Sequence, residues 1–228
     1  MSEKRAVHMK GIRNQILRTA EKLFLTQGYK TTTIRQIVQE SGITSGSIYN
    51  IFEDKEHLFS ALVDEFLTNA KAKIDKALEG QPAENRMVGL LGMELYITEK
   101  NPVVRELMCA FHTSPFLMET VIKRHSTLAE EVWAGRRHPR NSKLSTAILL
   151  SEGAVSSYVI SFDFSQKLDV AEIRRKVVLC TLRNMGLETR ESNRLVQYME
   201  DHEALWLDLA NPGTEPFQRD NGSLNALQ

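Results

Sequence analysis

The chain has 228 residues, of which 42% are hydrophobic and 25% charged, and its formal net charge is zero. These values suit a soluble globular protein with one large domain or two small ones. The charged first eight residues exclude a signal peptide, and no stretch approaches the roughly 18 apolar residues of a membrane span. Two cysteines give no disulfide framework, so we expect a cytoplasmic protein.

Charge is distributed unevenly along the chain. Residues 1–60 contain nine lysines and arginines against six acidic residues, whereas acidic residues outnumber basic ones in the remainder. The direction of this asymmetry fits a basic DNA-contacting domain in front of a solvated body.

Apolar residues at helical spacing predict four helices in the first 80 residues. The first covers about 11–27 and ends at Gly28, because glycine adopts the left-handed conformation that closes a helix. A short second helix contains Ile37, a short third helix contains Ile48, and a fourth helix runs to about Leu78. No alternating run is long enough to predict a sheet.

The rest of the chain also reads as helices separated by breaks. Ser114 before Pro115 is a helix-start signal, and Asp169 is predicted to cap a helix that ends near Gly186. The last 18 residues, 211–228, lack periodicity, so we predict a mostly disordered tail. The predicted helices lie near 84–100, 103–113, 115–134, 142–164, 170–186 and 188–209.

Residues 33–52 have the pattern of a helix-turn-helix. Thr33 followed by Gln36 forms a capping-box pattern at the start of the second helix. Gly42 supplies the sharp turn, since glycine takes positive φ without steric cost, and Thr44 can cap the third helix. With Ile48 inward, the outer face of the third helix carries no acid and can approach DNA. The residues of this face are Thr44, Ser45, Ser47, Tyr49 and Asn50.

Residues 12–66 resemble the DNA-binding domain of the TetR family of repressors. The strongest stretch runs from Gly42 to Phe59 and is similar to the family's recognition helix and the opening of its fourth helix. Residues 20–24 and 28–34 resemble the family's first helix and its exit. The resemblance implies an all-α fold, with a helix-turn-helix domain at 1–60 and a helical effector-binding and dimerisation domain at 61–210.

The resemblance also implies roles for individual residues. Tyr49 and Lys55 would hold DNA phosphates, and Lys55 near a helix N-terminus is a favourable phosphate anchor by itself. Tyr49 could instead be a packed core aromatic. From the second helix, Thr33 and Arg35 would approach the backbone, with Gln36 beside them. The residues nearest the base edges would be Thr44, Ser45, Ser47 and Asn50.

The helices after residue 60 must pack as a bundle that could hold an effector. By resemblance, the helices near 142–164 and 170–186 would pair with those of a second subunit, although both could be ordinary intrachain core. Met and aromatic side chains adapt to apolar ligands, so we expect a hydrophobic or amphipathic effector. The candidate pocket residues are Tyr96, Met108, Phe111, His112, Phe116, Met118, Trp133, Tyr158 and Phe162.

The sequence predicts neither a metal site nor catalysis. Cys109 and His112 are three residues apart on a predicted helix, but no second pair of ligands accompanies them. No catalytic triad order, phosphate-binding loop or paired-carboxylate pattern stands out, so we predict no cofactor and no enzyme activity. Two alternatives remain open: a DNA-binding regulator without effector, and a helical-bundle enzyme or ligand carrier that has lost DNA binding.

Overall fold

The computed structural model describes residues 3–134, 144–166 and 168–211, which form eleven α-helices and no strand. The all-α class is therefore confirmed for the described ranges. These residues divide into two compact units, an amino-terminal unit up to Val63 and a carboxy-terminal unit from Asp64 to Ala210. The division falls within the fourth helix. The predicted disordered tail, 211–228, lies outside the described residues except for Asn211.

The amino-terminal unit consists of α1 (Glu3–Gln27), α2 (Ile34–Ser41), α3 (Ser45–Tyr49) and the first turns of α4 (Lys55–Ala77). Helix α1 starts about two turns before the predicted residue 11. Its first residues are exposed to solvent, so they have no apolar stripe from which periodicity could predict a helix.

The core of the amino-terminal unit is made by the apolar faces of these helices. A short α2 cannot persist alone in water; it is held on α1 by burial of Ile37 and by a 2.7 Å hydrogen bond from Gln15 Nε2 to the Ser41 carbonyl. The predicted inward positions Ile48 and Phe52 are confirmed as buried. The buried apolar residues are Ile16, Leu17, Ala20, Phe24, Ile37, Ile48, Phe52, Leu58 and Phe59.

The carboxy-terminal unit is a bundle around α5, which packs against α6, α7, α9, α10 and α11. Helix α8 packs most extensively against α9. The predicted caps Ser114 and Asp169 are confirmed, since their side chains accept from Leu117 N and Glu172 N. The helices are α5 (Ala83–Lys100), α6 (Pro102–His112), α7 (Pro115–Trp133), α8 (Leu144–Ser161), α9 (Val170–Asn184), α10 (Thr189–Asp201) and α11 (Glu203–Ala210).

The single helix predicted over 188–209 is wrong, because His202 leaves the helical conformation at φ −114° and ψ 22° and separates α10 from α11. Trp206 on α11 is fully buried, and its Nε1 donates to the Met199 carbonyl across 2.8 Å. It packs on α5 so closely that a Cβ at Gly92 would lie 2.9 Å from its ring. The break between α10 and α11 coincides with burial of the Trp206 indole. No glycine or proline marks this break in the sequence.

Helix α8 is the one helix of the described residues that is long and apolar enough to cross a membrane. Length and composition alone are weak evidence, since the core helix of a soluble protein passes the same test. Helix α8 packs on α6, α7 and α9 and carries the buried carboxylate Glu152. These contacts are typical of a core helix in a helical bundle.

Candidate DNA interface and effector site

The turn between α2 and α3 has the predicted local geometry. Thr33 Oγ1 accepts from Gln36 N across 3.3 Å and Gln36 Oε1 accepts from Thr33 N across 2.8 Å, which confirms the capping box. Gly42 adopts φ 66°, in the left-handed region. Thr44 Oγ1 accepts from Ser47 N across 3.3 Å, so the predicted cap of α3 is also confirmed. The turn is therefore fixed by its own residues.

The outer face of α3 is open to solvent within the amino-terminal unit. Tyr49 is 55% exposed, so the alternative that it is a packed core aromatic is wrong. Among the five residues predicted on this face, only Ser47 is half-buried, because its hydroxyl lies beside the capping side chain of Thr44. On α2, Arg35 is exposed and Gln36 is half-buried. The exposed members of the predicted set are Thr33, Arg35, Thr44, Ser45, Tyr49 and Asn50.

Lys55 does not project freely into solvent, as a simple phosphate anchor would. Its Nζ donates to the carbonyl oxygens of Tyr29, across 2.8 Å, and Thr32, across 2.9 Å. It also lies 4.1 Å from the centre of the Tyr29 ring, and burial lowers the pKa of this ammonium. An ammonium has three N–H donors, so at most one is left for DNA. Phosphate binding by Lys55 stays a prediction.

An aromatic cluster lies beneath this lysine. The Tyr29 ring is 5.3 Å from Phe24 and 4.6 Å from Phe59, measured between centroids. Lys55 thus joins the start of α4 to the turn between α1 and α2, through two charge-assisted hydrogen bonds and a cation–π contact. These contacts stabilise the turn that leads into the helix-turn-helix.

The predicted effector-pocket residues are unequally placed in the carboxy-terminal unit. Tyr96, Phe111, His112 and Tyr158 are buried. The prediction that Phe116 lines the pocket is corrected, because this residue is 39% exposed on the outer side of the first turn of α7. The next residue, Leu117, is buried. The half-buried members are Met108, Met118, Trp133 and Phe162.

Tyr158 belongs to a buried polar group at one end of α5. Its hydroxyl donates to Glu99, and Arg174 donates to the same carboxylate. The Arg174 guanidinium also lies 4.3 Å from the centre of the Tyr96 ring. Burial raises the pKa of Tyr96 to about 12, so both tyrosines remain neutral donors at physiological pH. The Tyr96 hydroxyl is buried and has no hydrogen-bond partner among the described residues.

A second polar group, which we call the Glu–His cluster, consists of Glu94, His112, His125 and Glu152. His112 Nε2 lies 3.1 Å from Glu94 Oε1, and His125 Nδ1 bonds to Glu152 Oε1. Burial alone would lower the pKa of His125, but the charge and hydrogen bond of Glu152 raise it. Burial would likewise raise the pKa of Glu94, but the hydrogen bond and charge of His112 lower it. Glu94 and His125 therefore each favour the charged form.

The cluster is not a metal centre in this geometry. Within the described ranges, no three His, Cys, Asp or Glu side chains are close enough together to hold one metal ion. Cys109, considered above as a metal ligand with His112, instead lies with its Sγ 3.9 Å from the Val159 carbonyl oxygen.

Comparison with known proteins identifies the amino-terminal unit. Residues 16–62 match the family model of bacterial regulatory proteins of the tetR family, and this range covers the last 12 residues of α1, the whole helix-turn-helix and the start of α4. The match to the tetR family is thus a match of the amino-terminal unit.

Curated relatives match this chain over part of its length. The transcriptional regulator HbdR of Aromatoleum sp. strain CIB is 40% identical over 68 residues, 30% of each chain. The transcriptional repressor KstR2 of Mycolicibacterium smegmatis is 38% identical over 55 residues, 24% of this chain and 27% of the relative. The chain therefore spans about a third or less of the length of these relatives.

Solved structures extend the likeness in fold over most of the chain. The TetR regulator TylP from Streptomyces fradiae superimposes with a TM-score of 0.61 at 19% identity, over 92% of this chain and 94% of its own. RolR, solved in complex with resorcinol, gives 0.62 at 19% identity, over 84% and 95%. At this identity the comparison establishes the fold alone.

Sequence reasoning missed the charged residues inside the carboxy-terminal unit. Glu94 and Glu152 each stand within an apolar helical stretch, and a charge at such a position is costly unless it is paired. That signal was present in the sequence for both glutamates. Their histidine partners could not be assigned, because each lies on a different helix.

Proposed function

We propose that this protein is a TetR-family, sequence-specific DNA-binding transcriptional regulator, a repressor that leaves a pseudo-palindromic operator when a small effector binds. The observation that carries the proposal is the exposed, acid-free face of α3, fixed between the Gly42 turn and the Thr44 cap. Short side chains allow such a helix to lie deep in the major groove. The tetR family model matches residues 16–62, which include this face, and the relatives named above are transcriptional regulators.

The DNA-binding form is a homodimer, which presents two recognition helices to successive major grooves, roughly 34 Å apart. We propose that α8 and α9 pair with the same helices of a second subunit. In support, Leu149 and Leu150 on α8 are 56% and 58% exposed, and the space around Gly153 on the same helix is open. An exposed apolar patch of this kind is typical of an interaction surface.

The effector binds in the carboxy-terminal unit, among the buried aromatic and polar residues of α5, α6 and α8. A TetR-like neighbour in fold, RolR, was solved with a small ligand, resorcinol, which supports an effector of similar size here. Helix α4 runs through the division between the two units, so it can carry a change from one unit to the other. A preference of the effector for the non-binding geometry by about 1–3 kcal/mol would lower operator affinity roughly 5–150-fold.

The protein acts by binding and not by catalysis, and it works in the cytoplasm, where its DNA lies. The match to the tetR family supports this proposal, since the relatives carry the names of transcriptional regulators.

Selection of genomic fragments by the purified full-length protein tests the proposal. We expect enrichment of one palindromic motif, and binding to it should weaken steeply with salt because the protein releases counterions from phosphates. The matched control is Tyr49→Ala together with Arg35→Ala, which removes two exposed predicted backbone contacts without touching the core.

Absence of any enriched motif, or binding that salt does not weaken, would contradict the proposal and favour a helical-bundle ligand carrier or enzyme. Specific binding that no ligand of the carboxy-terminal unit alters would instead support a regulator without effector.

A further inference from the structure

Four helices of the carboxy-terminal unit contribute one side chain each to the Glu–His cluster: Glu94 on α5, His112 on α6, His125 on α7 and Glu152 on α8. The side chains of His112 and Glu152 are 0% and 5% exposed. Ser156, one turn after Glu152, joins the two pairs, because its Oγ lies 3.0 Å from His112 Nδ1 and 2.7 Å from the Glu152 carbonyl oxygen.

Hydrogen bonding inside the cluster is incomplete on the side of Glu152. Its Oε1 is taken by His125, whereas its buried Oε2 has no hydrogen-bond partner among the described residues. A carboxylate oxygen accepts bonds only, so it needs a donor. The neighbouring Ser156 hydroxyl donates its proton to the Glu152 carbonyl oxygen, so it does not supply a bond to Oε2.

A buried unpartnered carboxylate oxygen is costly, by more than an unpartnered neutral group. Native proteins retain such a group where it has a partner that the free chain does not supply. The paired His125 cannot supply a second bond to Oε2 through the same nitrogen.

Apolar surface adjoins the cluster on α6. Met108 and Cys109 precede His112 by four and three residues, so they lie on the same helix face, one turn away. Both are half-buried, and they pack against the core of the unit. A ligand whose polar end meets the cluster could place an apolar body along this face.

We propose that Glu152 Oε2 is the recognition point of the effector, and that the effector carries a hydrogen-bond-donating group, a protonated amine or a hydroxyl, on an apolar body. A ligand that ends in a carboxylate is excluded, since it would add a third buried acceptor beside Glu94 and Glu152. That the ligand acts as an effector rests on the proposed function. The binding site itself is inferred from the geometry alone.

Calorimetric titration of the full-length protein with four matched probes tests the inference. The probes share one phenyl ring and differ in the polar end: phenethylamine, 2-phenylethanol, 3-phenylpropionate and ethylbenzene. We expect phenethylamine or 2-phenylethanol to bind at least about tenfold more tightly than the other two, because a hydrogen bond to a charged acceptor discriminates by this amount or more. The first two probes distinguish a charged donor from a neutral one.

Glu152→Gln should reduce binding of the preferred probe at least about tenfold, since the amide is a weaker acceptor than the carboxylate. Glu130→Gln, an exposed change on α7, is the matched control and should bind as the wild type does. The comparison among probes in the wild-type protein does not depend on how either variant folds.

Tightest binding of 3-phenylpropionate, equal binding of all four probes, or no binding of any would overturn the inference. So would a folded Glu152→Gln protein with unchanged affinity. Operator binding is measured on the same samples: a protein that binds the amine through Glu152 but binds no DNA would refute the proposed function and keep the site. A protein that binds DNA but none of the probes would refute only the site.

Discussion

The Lys55 ammonium donates to the Thr32 carbonyl oxygen across 2.9 Å, and so joins the start of α4 to the segment that leads into α2. Thr32 is fully buried and Lys55 half-buried. This bond and its twin to the Tyr29 carbonyl oxygen satisfy two carbonyls of the turn between α1 and α2. Lys55 therefore supports the recognition unit whether or not it touches DNA.

Lys55→Ala should accordingly lower the stability of the amino-terminal unit, by about 1–3 kcal/mol, since it leaves two carbonyls without their charged donor. Urea unfolding followed by far-ultraviolet circular dichroism measures the loss. Lys22→Ala, on the exposed side of α1, is the control and should change little. A variant as stable as the control, but with weaker DNA binding, would show that Lys55 serves as a phosphate anchor alone.

Gly42→Ala should destabilise the amino-terminal unit by about 1–2 kcal/mol. No atom lies within 4 Å of the added Cβ, so the cost comes from forcing alanine to φ 66°. Gly46→Ala is a matched change four residues further along the chain, also with no atom near the added Cβ but without positive φ. Because Gly46 is inside α3, alanine there should stabilise the helix by up to about 1 kcal/mol. Equal effects of the two changes would contradict this account of the turn.

The recognition unit could be predicted from the sequence because its determinants are local. The Thr33–Gln36 capping box spans four residues, and the Gly42 turn and the Thr44 cap lie within the next few. Each is decided by the chemistry of neighbouring residues, which the sequence displays directly. The apolar positions Ile37 and Ile48 follow from helical spacing in the same way.

The features that sequence reasoning missed depend on contacts between distant residues. Lys55 finds its acceptors 23 and 26 residues away. The break at His202 accompanies burial of Trp206 against α5, more than 100 residues earlier in the chain. The Glu–His cluster takes one residue from each of four helices. Periodicity fixes which face of a helix is apolar, but not which helices meet.

Base preference should separate two classes of variant on the DNA-binding face. Asn50→Ala should change the preferred base at one position of each half-site, with discrimination altered by about 1–3 kcal/mol, because an exposed amide at the end of α3 is placed for base edges. Arg35→Ala should weaken binding to all sequences alike and reduce the salt slope by about one. Repeating the fragment selection with each variant measures both effects. A shifted motif with Arg35→Ala and none with Asn50→Ala would reverse the assignment.

The stability of the carboxy-terminal unit should depend on pH through His125. Its pKa in the folded state is raised above the ordinary 6.5 by Glu152. A histidine whose pKa is raised by folding stabilises the folded state. This stabilisation is fully present below pH 6.5 and is lost as the pH rises through the pKa of the folded state. The free energy of unfolding should therefore fall more in the wild type than in His125→Gln as the pH rises above 6.5.

Tryptophan fluorescence during urea unfolding measures this difference, since both tryptophans belong to the carboxy-terminal unit. His8→Gln, on the exposed start of α1, is the control and should keep the wild-type profile. Glu94, whose lowered pKa acts in the opposite direction, loses its contribution only as pH falls below 4.5 and does not interfere. Parallel profiles for the wild type and His125→Gln would contradict the prediction.

Replacing the exposed leucines of α8 should separate the proposed dimer into monomers. Leu149→Glu with Leu150→Glu introduces two charges where two half-exposed apolar side chains would be covered by the second subunit, and desolvating those charges is unfavourable. Sedimentation velocity should show a shift from dimer to monomer, and operator binding should weaken with it, since a single recognition helix contacts only one half-site. Val7→Glu, at an equally exposed position on α1, should remain dimeric. If the double variant stayed dimeric and bound its operator, the subunits would have to meet through another face.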